Sequence, residues 1–87
     1  MPLSIWKFTL EVTDRQSVFI PKGAQLLTVQ TQHEKPCLWA LVNPETPTER
    51  YEIIIVGTGH PVTADGLYLG TFQLDNGAFV GHTFLAP

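Results

Sequence analysis

Gly57-Thr58-Gly59-His60 is the stretch whose residue types and spacing come nearest to a chemical motif. It follows an apolar run, Ile53-Ile54-Ile55-Val56. Glycines after a strand let backbone N–H groups approach a phosphate closely. The dinucleotide fingerprint needs a third glycine at set spacing and a helix behind it, and the phosphate loop ends in lysine followed by serine or threonine. Pro61 follows instead, and no lysine lies beyond Lys35. Two readings remain: a tight turn that uses glycine for its backbone freedom, which is the plainer one, and a ligand loop.

The other chemically capable residues are dispersed. His33, His60 and His82 lie far apart, with no paired spacing of the kind short zinc motifs use. Cys37 opens an apolar run, where cysteine behaves as a small hydrophobe, and nothing nearby in sequence would lower its pKa. The carboxylates Glu11, Asp14, Glu34, Glu45, Glu49, Glu52, Asp65 and Asp75 fall mostly in turns or at strand ends, and no pair announces acid-base work. No catalytic residue, metal site or cofactor is expected.

The aromatic set is rich: Trp6, Trp39, Tyr51, Tyr68, Phe8, Phe72, Phe79 and Phe84. Most must be core. Trp39 and Tyr51, with Arg50 beside Tyr51, are candidates for a stacking pocket, because arginine near aromatic faces is a common way to hold a nucleotide base. The plainer reading makes Trp39 the core tryptophan of a central strand. Arg50 or Lys7 would add charge for an anionic group.

The elements that must position these residues have period 2. From Ile5 to Val12, Trp6, Phe8, Leu10 and Val12 point one way, and Ile5, Lys7, Thr9 and Glu11 the other. Gln16 to Ile20 is a short strand. A type I turn begun at Ile20 suits the proline and glycine of Pro21-Lys22-Gly23. Gln25 to Gln32 is a third strand, and His33 to Pro36 a loop. Cys37 to Val42 and Arg50 to Val56 are apolar on both faces, so each strand is central or covered twice. Asn43 to Glu49, with two prolines, is a polar loop without a strand. Val62 to Gly66 has room for one helical turn at most.

Asn76-Gly77 is the strongest two-residue hairpin signal, because a type I′ turn needs positive φ at both positions. That register sets Leu74 opposite Phe79, Phe72 opposite Gly81, Thr71 opposite His82 and Leu69 opposite Phe84. The Phe72 ring then covers the bare Gly81 backbone. The result is one all-β domain over 1–87, a small antiparallel sandwich or barrel of six or seven strands.

The totals agree. The chain has 87 residues, 44% of them hydrophobic, which suits a small globular domain and is too apolar for disorder. No run approaches the roughly 20 apolar residues of a membrane span, and Met1 to Ile5 does not read as a signal peptide. A single cysteine fits a reducing compartment. Net charge is −3, and the bases Lys7, Arg15, Lys22, Lys35 and Arg50 are scattered. Duplex nucleic acid needs a dense basic face and is not an expected partner. A small anionic ligand, for which two or three donors suffice, remains open.

Ile5-Trp6-Lys7-Phe8, Pro36 to Val42, Gly57-Thr58-Gly59-His60-Pro61 and Leu69 to Leu74 together resemble a family of short phage and prophage proteins. The resemblance spans nearly the whole length and is sharpest in Gly57 to Pro61 and Leu69 to Leu74. It implies a virus-encoded protein acting in the cytoplasm of the bacterial host. By context it points to an immune-evasion sponge, a homo-oligomer that sequesters a nucleotide signal without turning it over. The ligand would meet Gly57, Thr58, Gly59 and His60, with Arg50, Lys7, Trp39 and Tyr51 adding charge and stacking. The alternative is a protein-binding inhibitor or a small virion component that presents a sheet edge or apolar face.

Overall fold

Alternating side chains give each strand two unlike faces, and the fold is the arrangement that buries the more apolar one of each. The computed structural model describes residues 2–62 and 65–87. It contains seven strands: β1 (Ser4–Thr9), β2 (Arg15–Pro21), β3 (Gln25–Gln32), β4 (Lys35–Val42), β5 (Thr48–Gly57), β6 (Leu67–Leu74) and β7 (Phe79–Leu85). They form two antiparallel sheets, β1-β4-β3 and β2-β5-β7-β6, stacked as a sandwich. Thr63 and Ala64, the centre of the segment with room for a helical turn, lie outside the described residues.

Leu38, Ala40 and Val42 of β4, Val29 of β3 and Leu10 after β1 supply one side of the core. Ile20 of β2, Ile53 and Ile55 of β5, and Phe72 of β6 supply the other. Burying each large aliphatic side chain contributes roughly 1.5–3 kcal/mol, which makes this cluster the main source of stability. The two strands that are apolar on both faces are internal to their sheets: β4 lies between β1 and β3, and β5 between β2 and β7. Their second faces are only half covered. Trp39 and Leu41 on β4, and Ile54 and Val56 on β5, are partly exposed on the two outer faces.

Several details depart from the sequence reading. The first strand ends at Thr9 rather than at Val12. The turn after β2 closes from Pro21, with Ala24 N donating to Pro21 O at 3.2 Å. Gly23 at its third position has φ +80°, so it is a type II turn one residue later than expected. The loop from His33 to Pro36 shrinks to two residues, because Gln32 and Lys35 already pair. His33 (φ 53°) and Glu34 (φ 62°) make that tight turn without a glycine. β5 begins at Thr48, inside the stretch read as strand-free. A bulge in β6 sets Tyr68, not Leu69, opposite Phe84.

The rest of the β6–β7 register is as expected: Leu74 faces Phe79, Phe72 faces Gly81 and Thr71 faces His82. The turn has Asn76 at φ 54°, ψ 33° and Gly77 at φ 87°, with Ala78 N donating to Asp75 O at 2.9 Å. Positive φ at Asn76 and Gly77 is as expected, but it begins one residue earlier, at Asp75 (φ 52°), and pairing resumes only at Leu74 and Phe79, so the turn is longer than a two-residue type I′ hairpin. The bulge also brings Gly70 against β3, where an added Cβ would meet Val29 O at 3.0 Å. Thr31 Oγ1 donates to Gln73 O at 2.6 Å, and Asp75 N donates to Glu34 Oε2 at 3.2 Å. These contacts tie the two sheets together along β3 and β6.

Candidate functional site

β5 ends at Gly57, and the chain must turn sharply to leave the sheet. His60 N donates to Gly57 O at 3.1 Å, and Gly59 takes φ +89°, which gives a type II turn. Thr58 N donates to Val80 O at 3.2 Å and pins the turn to the start of β7. The amides of Thr58 and His60 are therefore engaged within the protein. A multi-amide phosphate cradle, as a ligand loop would need, is not what this backbone presents. What the turn contributes is a wall.

That wall stands over the outer face of the four-stranded sheet. Cross-strand pairing places Arg15 beside Ile54, Ile54 beside Phe84, Val56 beside His82, Tyr68 beside Phe84, and Thr71 beside His82 on this one face. Of the cavities beside the turn, two involve this face. One, of about 420 Å³, is lined by Asp14, Arg15, Ile54, Val56, His60 and Pro61 among others. The other, of about 260 Å³, is lined chiefly by Thr58, Val62, Tyr68, His82 and Phe84. Val56, Gly57 and His60 line both, so the two adjoin across these residues and together make up the groove on this face. The larger part falls within the volume range of small-molecule pockets and the smaller part just below it.

A chain of hydroxyls runs along the smaller end. His82 Nε2 lies 2.7 Å from Thr58 Oγ1, and His82 Nδ1 lies 3.0 Å from Thr71 Oγ1. Thr71 Oγ1 in turn bonds the Tyr68 hydroxyl. A neutral imidazole donates from one nitrogen and accepts at the other, so the chain runs in one sense at a time. If Tyr68 donates to Thr71 and Thr71 to Nδ1, then Nε2–H donates to Thr58. The Thr58 hydroxyl hydrogen is then free for a ligand. In the reverse sense the Tyr68 hydroxyl is the free donor. The ring edge of Tyr68 packs on Phe84 with centroids 5.6 Å apart, so an aromatic wall stands beside this adjustable donor.

Charge is concentrated at the larger end. Arg15 Nε bonds Glu52 Oε2 at 2.9 Å, while Ser17 Oγ donates to Glu52 Oε1 and Arg50 Nε stands 3.7 Å from it. The Ser17 and Arg15 hydrogen bonds hold the Glu52 carboxyl below its ordinary range against desolvation, with smaller help from the charges of Arg15 and Arg50. The Arg15 side chain remains 55% exposed, which leaves its terminal N–H groups for a ligand at the groove.

Of the residues singled out from sequence, Gly57, Thr58, Gly59 and His60 line this groove. The other four lie elsewhere. Lys7 and Trp39 pair across β1 and β4 on the outer face of the opposite sheet, where Lys7 Nζ bonds Gln32 Oε1 at 2.6 Å. Tyr51 packs half-buried against the core. Desolvation first, then the hydrogen bond and charge of Glu49, push its phenol up, partly offset by the Ala24 backbone. Arg50 is on the groove's sheet but lies opposite Phe19, several residues along β5 from Gly57. Trp39, Tyr51 and Arg50 therefore do not form a common stacking pocket. Arg15, Tyr68, His82 and Phe84 line the groove instead. His82 opposite Thr71 was already legible from the hairpin register, but Thr58 meets it only through the pairing of β5 with β7.

Among the described residues no group of three or more His, Cys, Asp or Glu side chains is placed to hold a metal ion, and no helix is long and apolar enough to cross a membrane. Cys37 is buried in β4, its Sγ 3.6 Å from Lys35 O. Fold and site together define a two-sheet antiparallel β-sandwich with a half-polar groove on one outer face. The chain belongs to the family described as a domain of unknown function, DUF7352, whose model matches residues 1–87. No curated protein and no solved structure matches it.

Proposed function

We propose that this protein captures a small nucleotide-derived ligand in the groove on its four-stranded sheet and does not turn it over. The carrying observation is the groove itself, with Arg15 at one end and Tyr68, Phe84 and the His82 hydroxyl chain at the other. A cationic donor, an aromatic wall and a reversible hydroxyl donor are what a base with an attached acidic group needs. The resemblance to short phage proteins makes a signal of bacterial antiviral immunity the first ligand to seek, in the cytoplasm of an infected host. The apolar residues left open on the other sheet, among them Ile5 at 60% exposure, suit assembly into a homo-oligomer.

The experiment is to purify the protein from phage-infected cells, release bound small molecules by heat and identify them by mass spectrometry. An intact nucleotide-derived compound, released stoichiometrically, is expected. Recovery of a cleaved product would make the protein an enzyme, and recovery of nothing would remove the capture reading.

The enzymatic alternative has one specific observation behind it. Thr58 Oγ1 and His82 Nε2 have the spacing of a nucleophile and its base. The group orienting the imidazole is a threonine hydroxyl rather than a carboxylate, and it does not stabilise an imidazolium as an anion would. Capture is therefore the better-supported role. A second non-enzymatic reading is a protein-binding inhibitor or virion component that uses the open face or edge of β1. A stable protein partner pulled down without any small ligand would favour it.

A further inference from the structure

We propose that the groove selects a ligand with one planar heteroaromatic ring and at most one negative charge. The ring sits at the Tyr68–His82–Phe84 end and the charge at Arg15. This rests on the capture reading and goes further, because it specifies the ligand's charge and orientation. Two features carry it.

The first is the balance of charge. Asp14 and Arg15 are the only charged side chains lining either part of the groove among the described residues. Arg15 is already bonded to Glu52. Glu52 is shared with Arg50, which stands 3.7 Å from its other oxygen and lines neither part of the groove, so within the lining one guanidinium stands beside one carboxylate, Asp14, in a chain at −3 overall. A guanidinium in this setting still offers a fork of N–H donors to a single phosphodiester or carboxylate. A second or third ligand charge would find no further cation in the groove lining and would face Asp14. The Gly57–His60 turn does not compensate, because its Thr58 and His60 amides point to Val80 O and Gly57 O.

The second is the division of the groove. The part that holds Arg15 is lined by no phenylalanine, tyrosine or tryptophan. The part that holds Tyr68 and Phe84 contains no formal charge. His60 and Val56 lie between them. A ligand spanning both parts is therefore oriented, ring at one end and acid at the other. Thr58 or Tyr68 supplies the donor to the ring edge, whichever way the hydroxyl chain runs. A ring nitrogen or carbonyl that accepts a hydrogen bond matches either state.

Calorimetric titration of the protein at low salt tests this with three probes for each common base: the nucleoside, its cyclic monophosphate and its triphosphate. For the base that binds best, the cyclic monophosphate is expected to bind about tenfold tighter than the triphosphate, with the nucleoside between them. Arg15→Gln should bring the cyclic monophosphate to the level of the nucleoside and leave the nucleoside unchanged. Asp14→Asn, whose backbone carbonyl still accepts from Ile55 N, should raise triphosphate affinity several-fold. Tightest binding by the triphosphate would overturn the charge limit while leaving capture intact. Failure of every probe on the folded protein would remove the capture reading beneath it. An Arg15→Gln loss shared equally by the nucleoside would overturn the orientation.

Discussion

Thr83 faces the core from β7, and its Oγ1 is buried without a hydrogen-bond partner. A buried hydroxyl left unpaired loses its water bonds and gains nothing, at about 1–3 kcal/mol. Thr83→Val should therefore stabilise the fold by roughly 1 kcal/mol, read as a rise in the denaturation midpoint. Gly81, two residues earlier, behaves oppositely. An added Cβ there runs into the Phe72 ring, which is itself buried. Gly81→Ala should destabilise by roughly 2 kcal/mol through overpacking, measurable by the same denaturant titration. The pairing behind that prediction was readable in the sequence, because Asn76-Gly77 sets the hairpin register two residues at a time. The orphan hydroxyl was not, because whether Thr83 meets an acceptor depends on β5 and β6 together.

Turns show most clearly where local chemistry decides structure and where it does not. Asn76-Gly77 has residues that tolerate positive φ, and the turn forms where they stand. His33-Glu34 has neither a glycine nor an asparagine, and the turn forms there anyway because β3 and β4 pair up to Gln32 and Lys35. Tertiary pairing overrides local preference and leaves two side-chain-bearing residues in the left-handed region. His33→Asn should relieve part of that strain and raise stability by about 0.5 kcal/mol, since asparagine visits this region readily. An unchanged or lower midpoint would show that the His33 backbone is not strained. The bulge in β6 is another element that alternation alone does not reveal. It reverses which of Leu69 and Tyr68 reaches the outer face, and so puts Tyr68 rather than Leu69 in the groove wall.

Across the whole molecule, two outer faces with different character follow from one pattern. β4 and β5 are apolar on both sides, and each sheet keeps one of those sides partly open. Sequence reasoning correctly made both strands central, but it grouped Lys7, Trp39, Tyr51 and Arg50 with the glycine turn. Chain proximity carries no information about which sheet a strand joins, and β1 and β4 join one while β5 joins the other. The groove's sheet is also where the pH response should lie. Glu52 has a lower pKa folded than unfolded, so its contribution is present above the ordinary carboxylate range and is lost as pH falls through that range toward the depressed value. Glu52→Gln should flatten the acid limb of the stability profile, and added salt should weaken the wild-type limb toward the variant. Nuclear magnetic resonance shift mapping with a cyclic mononucleotide addresses the groove itself most directly. Shifts confined to Arg15, Val56 to Pro61, Tyr68, His82 and Phe84 are the expected result. Shifts centred on Lys7 and Trp39, on the far side of the sandwich, would contradict it.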